Sequence, residues 1–231
     1  MKPIRSGWRI WPPIIILRYW IVQGMLFMNN VEIIHRIFIE IIFFISIFIV
    51  LLNVDMNQRI ILSIVIAHTF SFVFNGHLYA MMTHDLFWFG LYKKKNKFLE
   101  YVDNMYKRLN SYQPEYVEGV VFFGSLARGI FREASDLDVR FIAKKGFMNG
   151  FKSSHLVFKE RLRAFFYGFP IDAYMFRTEK EVREKMDLVN EYPVCMLSTS
   201  SLLGKMFPEL QSYRNFKKII NSSNEISNVD Q

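Results

Sequence analysis

A single cysteine, Cys195, stands among 231 residues, which excludes an internal disulfide and fits a reducing, cytoplasmic compartment. Acidic residues are also scarce. Against 29 Lys and Arg there are 21 Asp and Glu, leaving a net charge of +8. That balance favours an anionic partner, whether phosphate, nucleic acid or membrane surface, without choosing among them. There is no internal repeat. No small-residue cleavage site follows the first apolar stretch, which argues against a secretory signal. Charge is missing altogether from Ile60 to Met82, which holds no Asp, Glu, Lys or Arg.

What is present in excess is apolar. Hydrophobic residues make up 52% of the chain and Phe alone numbers 24, more than an average soluble domain needs. The excess lies within residues 1–92. Ile60–Met82 is long enough to cross a bilayer core of about 30 Å. Ile37–Leu52 is interrupted only by Glu40, and between the two lies the polar turn Asn53–Arg59. The pattern predicts a transmembrane helical hairpin. Basic residues flank its outer ends: Lys2, Arg5, Arg9, Arg18 and Arg36 before, Lys93, Lys94, Lys95 and Lys97 after. Both ends then face the cytoplasm at the cell membrane, where nucleotides are available. A soluble oligomer burying the same helices is the alternative, since Glu40, His68, Asn75 and His77 are unusual in lipid. The segment Trp8–Met28, broken at Pro12-Pro13, reads as interfacial, anchored by Trp8, Trp11, Tyr19 and Trp20. His68, His77 and His84 lack the i, i+4 spacing of helical zinc sites. They suit hydrogen bonding between helices better than a metal or acceptor site.

The chemistry concentrates further on. Gly119–Phe123 is a short apolar run of strand formers. Gly124 then allows a sharp turn that brings backbone N–H groups close to a ligand, and Ser125 can open a helix where anions are favoured. Leu137 to Ile142 alternates as a half-buried strand, with Leu137, Val139 and Phe141 on one face and Asp136, Asp138 and Arg140 on the other. Same-face Cα atoms are roughly 6.5 Å apart, so both carboxylates can converge on one cluster. Such hard oxygen ligands suit Mg²⁺ or Mn²⁺ bound together with phosphates. Asp136, next to Ser135, could equally be a turn residue. Asp138 is mid-strand, between Leu137 and Val139, and needs a partner when buried.

The order Gly124-Ser125-Leu126-Ala127-Arg128-Gly129, a spacer to Ser135, then Asp136-Leu137-Asp138 resembles the DNA polymerase β-like nucleotidyltransferase superfamily, especially its minimal nucleotidyltransferases. The third carboxylate that this family places on a later strand matches Asp172, within Ile171–Phe176, after a helix expected from Ser153 to about Phe166 and ending at Gly168. The resemblance covers about residues 95–200. It implies an α/β (α+β) nucleotidyltransferase fold, a short mixed sheet with flanking helices, preceded by the N-terminal helical region. It also implies that Gly124 and Ser125 hold the β- and γ-phosphates of a nucleoside triphosphate, with Arg128 either neutralising phosphate or facing solvent. Asp136 and Asp138 would ligate two Mg²⁺ ions, and Asp172 would touch the ion nearest the nucleophile and help deprotonate an acceptor hydroxyl. Arg140 departs from the usual apolar residue and reads chiefly as an offset to three clustered acids.

The expected organisation is a membrane-associated region over 1–92, the nucleotidyltransferase domain over 93–205, and an extension over 206–231 with a disordered tail from Asn221. A helix is expected from Lys93 to Asn110, with Phe98, Val102, Met105 and Leu109 on one side. Another opens at the Thr178–Glu181 capping pattern. Fewer than sixty residues follow Asp172, too few for the large helical domains of polymerases and tRNA-tailing members, so nucleic acid is disfavoured as acceptor. The expected activity is transfer of NMP from an NTP, ATP foremost, to a hydroxyl on a small molecule, lipid-linked glycan precursor or protein. A homo-oligomer is compatible with it. A non-catalytic nucleotide-binding module and a membrane scaffold are the rival readings.

Overall fold

Strands β1 (Val117–Phe123), β2 (Leu137–Ala143), β3 (Ile171–Phe176), β4 (Val194–Ser198) and β5 (Gln211–Ser212) make one mixed sheet in the order β3-β2-β1-β4-β5. β1 is antiparallel to both its neighbours, whereas β2 pairs with β3, and β4 with β5, in parallel. The structure is a computed structural model that describes residues 12–53, 57–75, 77–84, 98–128, 136–168, 170–185, 192–207 and 209–229.

Side-chain alternation along the strands divides the core in two. Phe122, Val139, Phe141, Ala173 and Met175 face helices α5 (Phe98–Tyr112), α7 (Phe147–Tyr167) and α10 (Tyr213–Val229). α5 contributes Val102, Met105 and Leu109, and α10 contributes Phe216, whose ring meets Phe122 edge-on with centroids 5.0 Å apart. On the opposite face, Val121, Phe123, Ile142, Tyr174 and Phe176 pack against Val182 of α8 (Glu179–Lys185) and Leu203 and Met206 of α9 (Leu202–Met206).

Several elements depart from expectation. α7 starts six residues before Ser153, at Phe147, and ends at Gly168, which has the left-handed φ of 65° that closes many helices. The tail read as disordered from Asn221 continues as α10 to Val229. Glu181 N–H donates to Thr178 Oγ1 as the capping pattern requires, but the Glu181 carboxylate accepts from Arg177 N–H, one residue earlier than in a standard box. Trp8 and Trp11 lie outside the described residues, and Pro12-Pro13 stands where the described chain begins. It forms the opening turn of α1 (Pro12–Val22), where a missing N–H is harmless. Lys93–Lys97 lie outside the described residues.

The N-terminal apolar segments form a hairpin whose arms are unequal. α2 (Asn30–Leu51) and α3 (Arg59–Phe74) run antiparallel, as shown by their contacts: Arg36 to Ser71, Glu40 to His68, Phe43 to Phe70. The second arm is not one helix over Ile60–Met82. It stops at Asn75, whose amide bonds Ser71 O, and a separate α4 (His77–His84) follows. Among the described residues, α2 is the one helix long and apolar enough to cross a bilayer, and α3 is too short. The lower half of α2 is committed elsewhere. Its N-cap Asn29 donates to Met175 O at 2.6 Å, and Glu32 accepts from Met175 N–H at 3.0 Å and pairs with Arg161 of α7 at 2.9 Å. These bonds satisfy the open edge of β3, the last strand of the sheet. They also join the helical region to the sheet across the expected boundary at 92/93. Polar groups lie between the helices while Ile37, Ile41, Ile45, Ile61 and Ile64 are exposed outside. Trp20, expected as an interfacial anchor, instead packs on His68 and donates to Thr69.

Candidate active site

The apolar run of β1 ends at Phe123, and the chain turns at Gly124, whose φ of 80° disfavours any residue with a Cβ. A single helical turn, α6 (Gly124–Ala127), follows. Leu126 and Ala127 are buried and pin that turn to the core, while Ser125 is half-buried at its second position rather than at the cap. Gly124 is needed for a second reason. A Cβ built there would lie 2.3 Å from Asp138 Oδ2, so the turn sits directly against the carboxylate. Gly124→Val is therefore expected to displace Asp138 and to add backbone strain of about 1–2 kcal/mol. Its turnover should fall well below that of Ser125→Ala, which leaves the turn and its N–H groups in place. Steady-state kinetics of the two variants side by side check this.

Asp138 and Asp172 meet through strand register. β2 and β3 are parallel with Asp138 opposite Asp172 and Arg140 opposite Tyr174, so all four side chains emerge on one face. Both carboxylates are about 29% exposed, accessible from one side and walled on the other. Asp136 is half-buried and immediately precedes β2. The structure thus brings Asp138, Asp172 and the Gly124 turn together, with Asp136 at their border.

Arg140 is the unexpected member. Its Nη1 donates to Asp172 O at 2.6 Å and to Val139 O at 3.0 Å, and its Nη2 donates to Asp172 Oδ2 at 3.0 Å. Nη2 also lies 3.7 Å from Asp138 Oδ1. The Tyr174 ring backs the guanidinium at 5.3 Å. Burial opposes its charge, but Asp172, then Asp138 and Tyr174, outweigh that and hold it above the ordinary arginine range. Sequence alternation could place Arg140 on the carboxylate face, but not its bonds to Asp172, which is 32 residues away. Arg161 presses on the same Tyr174 ring at 5.1 Å and donates to Ala173 O. No local signal marked Arg161 or Glu32.

Arg128 closes the α6 turn and is exposed. With Ala127, Tyr192, Glu209, Gln211 and Ile219 it lines an open cavity of about 460 Å³ on the β4–β5 side of the turn, and none of the three acids is in that lining. Cys195 on β4 is a poor nucleophile candidate, because burial pushes its thiol above the usual range. His68 resolves as hydrogen-bonded between helices: its ring nitrogens lie 2.7 Å from Glu40 Oε1 and 2.9 Å from Trp20 O. The side chains of His77 and His84 lie outside the described residues.

Among the described residues no three His, Cys, Asp or Glu side chains gather as a metal cluster. By type, the hard oxygen donors of Asp136, Asp138 and Asp172 suit a hard cation, and the Arg140 guanidinium stands 3.0 Å from Asp172 Oδ2 and 3.7 Å from Asp138 Oδ1.

Residues 97–195 match the family model of the nucleotidyltransferase domain. The match, over less than half of the chain, is consistent with a member of the DNA polymerase β-like nucleotidyltransferase superfamily. Neither the curated proteins nor the solved structures contain a match to this chain.

Proposed function

We propose that this protein transfers NMP from an NTP, ATP foremost, to a hydroxyl acceptor and releases pyrophosphate. The observation that carries this reading is the convergence of the Gly124 turn and Asp172 on Asp138, within a domain whose family is defined by nucleotidyl transfer. In it, Gly124 and Ser125 receive the β- and γ-phosphates, and Arg128 adds positive charge beside them. Asp136 and Asp138 hold Mg²⁺, or Mn²⁺, which supplies positive charge to the α-phosphoryl oxygens. Asp172 faces the acceptor hydroxyl. One rival is favoured by a specific observation: Arg140 bonded to Asp172 would suit a nucleotide-binding module without turnover. Labelled NTPs incubated with membrane extracts and Mg²⁺ decide between them. Protein-dependent pyrophosphate release supports the enzyme, and nucleotide binding without release supports the module.

We further propose that the exposed apolar faces of α2 and α3 enter a membrane. With polar groups inside the hairpin and isoleucines outside, the polarity is inverted relative to a water-soluble bundle. From Glu40 to Leu51, beyond the part docked on β3, α2 extends only about 18 Å at 1.5 Å per residue. The docked hairpin therefore reaches partway into a bilayer core, holding the site at its cytoplasmic surface. The full-length chain should sediment with membranes and resist high salt and alkaline carbonate, since apolar insertion is not screened by ions. Recovery as a detergent-free soluble oligomer would overturn the insertion and leave the catalytic reading intact.

A further inference from the structure

We infer that Asn29 and Glu32, at the start of α2, are positioning residues for Asp172, so that the N-terminal helical region completes the catalytic sheet. The inference rests on the nucleotidyltransferase reading, in which Asp172 faces the acceptor hydroxyl.

β3 is the last strand on its side of the sheet, and its outer edge pairs with no other strand of the described residues. Side chains take the place of a strand there. Ala173 and Met175, two residues apart, turn their main-chain groups to that outer side. Ala173 O accepts from Arg161, Met175 N–H donates to Glu32 Oε2 at 3.0 Å, and Met175 O accepts from Asn29 Nδ2 at 2.6 Å. Arg161 is itself held by Glu32 Oε1 at 2.9 Å. The clamp begins at the residue after Asp172, whose place opposite Asp138 depends on the register of β3. A second connection runs through a ring. The guanidiniums of Arg161 and Arg140 both lie over Tyr174, at 5.1 and 5.3 Å from its centroid, and Arg140 donates to Asp172 O. The Gly124 turn follows β1 and Asp138 lies on β2, two strands paired directly with each other. A loosened β3 edge therefore misplaces Asp172 while leaving the triphosphate turn intact. The family match begins at residue 97, whereas α2 spans Asn30–Leu51, so the catalytic unit is larger than the matched segment.

Removing the clamp without stranding a charge separates positioning from stability. Glu32→Leu combined with Arg161→Met replaces a buried ion pair by apolar side chains, an exchange that often costs no stability. In the full-length double variant the denaturant midpoint should stay near native. Pyrophosphate release from ATP with Mg²⁺, in the membrane extract, should nevertheless show kcat lowered by about 10- to 100-fold and KM for ATP changed by less than about twofold. Asn29→Ser is a milder change that keeps the α2 cap but loses the reach to Met175 O; its kcat should fall several-fold, again with KM unchanged. Asp172→Ala should be at least as slow as the double variant. Native kcat in a folded double variant, with Asp172→Ala slow, would overturn the inference and spare the nucleotidyltransferase reading. If the double variant fails to fold, native kcat in Asn29→Ser does the same. A loss carried by KM, or one that disappears on cooling, would also overturn it, since binding or stability would then account for the defect. No release by the native protein, or native release by Asp172→Ala, would sink the assignment of Asp172 within the reading itself, and this inference with it.

Discussion

Asp138→Asn is expected to abolish nucleotidyl transfer for practical purposes, lowering kcat by on the order of 100- to 1000-fold. The amide keeps the shape of the side chain, but removes the negative charge from the point where the Gly124 turn and Asp172 converge. In a cleft walled by strands on one side, a lost charge is poorly replaced by solvent, so the effect should fall on the chemical step. Little stability should be lost, because Asp138 is partly exposed and Arg140 keeps its pairing with Asp172. The measurement is turnover with Mg²⁺ alongside a thermal melt. Near wild-type turnover in a folded variant would remove Asp138, and with it the catalytic assignment.

The second large effect is on folding. Arg161→Met should destabilise the protein by about 3–5 kcal/mol, because it leaves the Glu32 carboxylate buried with its cation removed. Both side chains are nearly inaccessible, at 4% and 3% exposure, so water cannot take over the missing role. Glu32 also accepts from Met175 N–H, so its loss of a partner is felt at the edge of β3, three residues from Asp172. Combining Arg161→Met with Glu32→Gln removes the stranded charge and should recover part of the loss. Denaturant midpoints of the single and double variants test this. An unchanged midpoint in Arg161→Met would mean that the Arg161–Glu32 pair adds no net stability.

The parts of the site that could be read in advance are those with a local physical signature. The apolar run into Gly124, the period of two from Leu137 to Phe141 and the isolated Asp172 between apolar neighbours each depend on residues within a few positions. The helix opening at Thr178 was legible for the same reason. Where neighbouring residues compete, local reading was less secure. Pro12-Pro13 can end one helix or begin another, and local sequence does not say that α1 runs on from them to Val22. The polar segment after Asn221 has a composition without an apolar run, yet it prolongs a helix whose Phe216 and Ile220 are already anchored on the sheet.

From the sequence alone, then, came the ordered motif, the face shared by Asp136, Asp138 and Arg140, and the strongly apolar character of the N-terminal region. Alternation and composition are properties of a short stretch of chain, so no partner has to be known. Tertiary structure decided the rest. It set Asp138 opposite Asp172, gave Arg140 to Asp172, and docked Asn29 and Glu32 on an edge strand more than 140 residues away in the chain. Strand register and buried ion pairs are chosen by which distant surfaces must satisfy one another once water is excluded, and that choice has no local spelling.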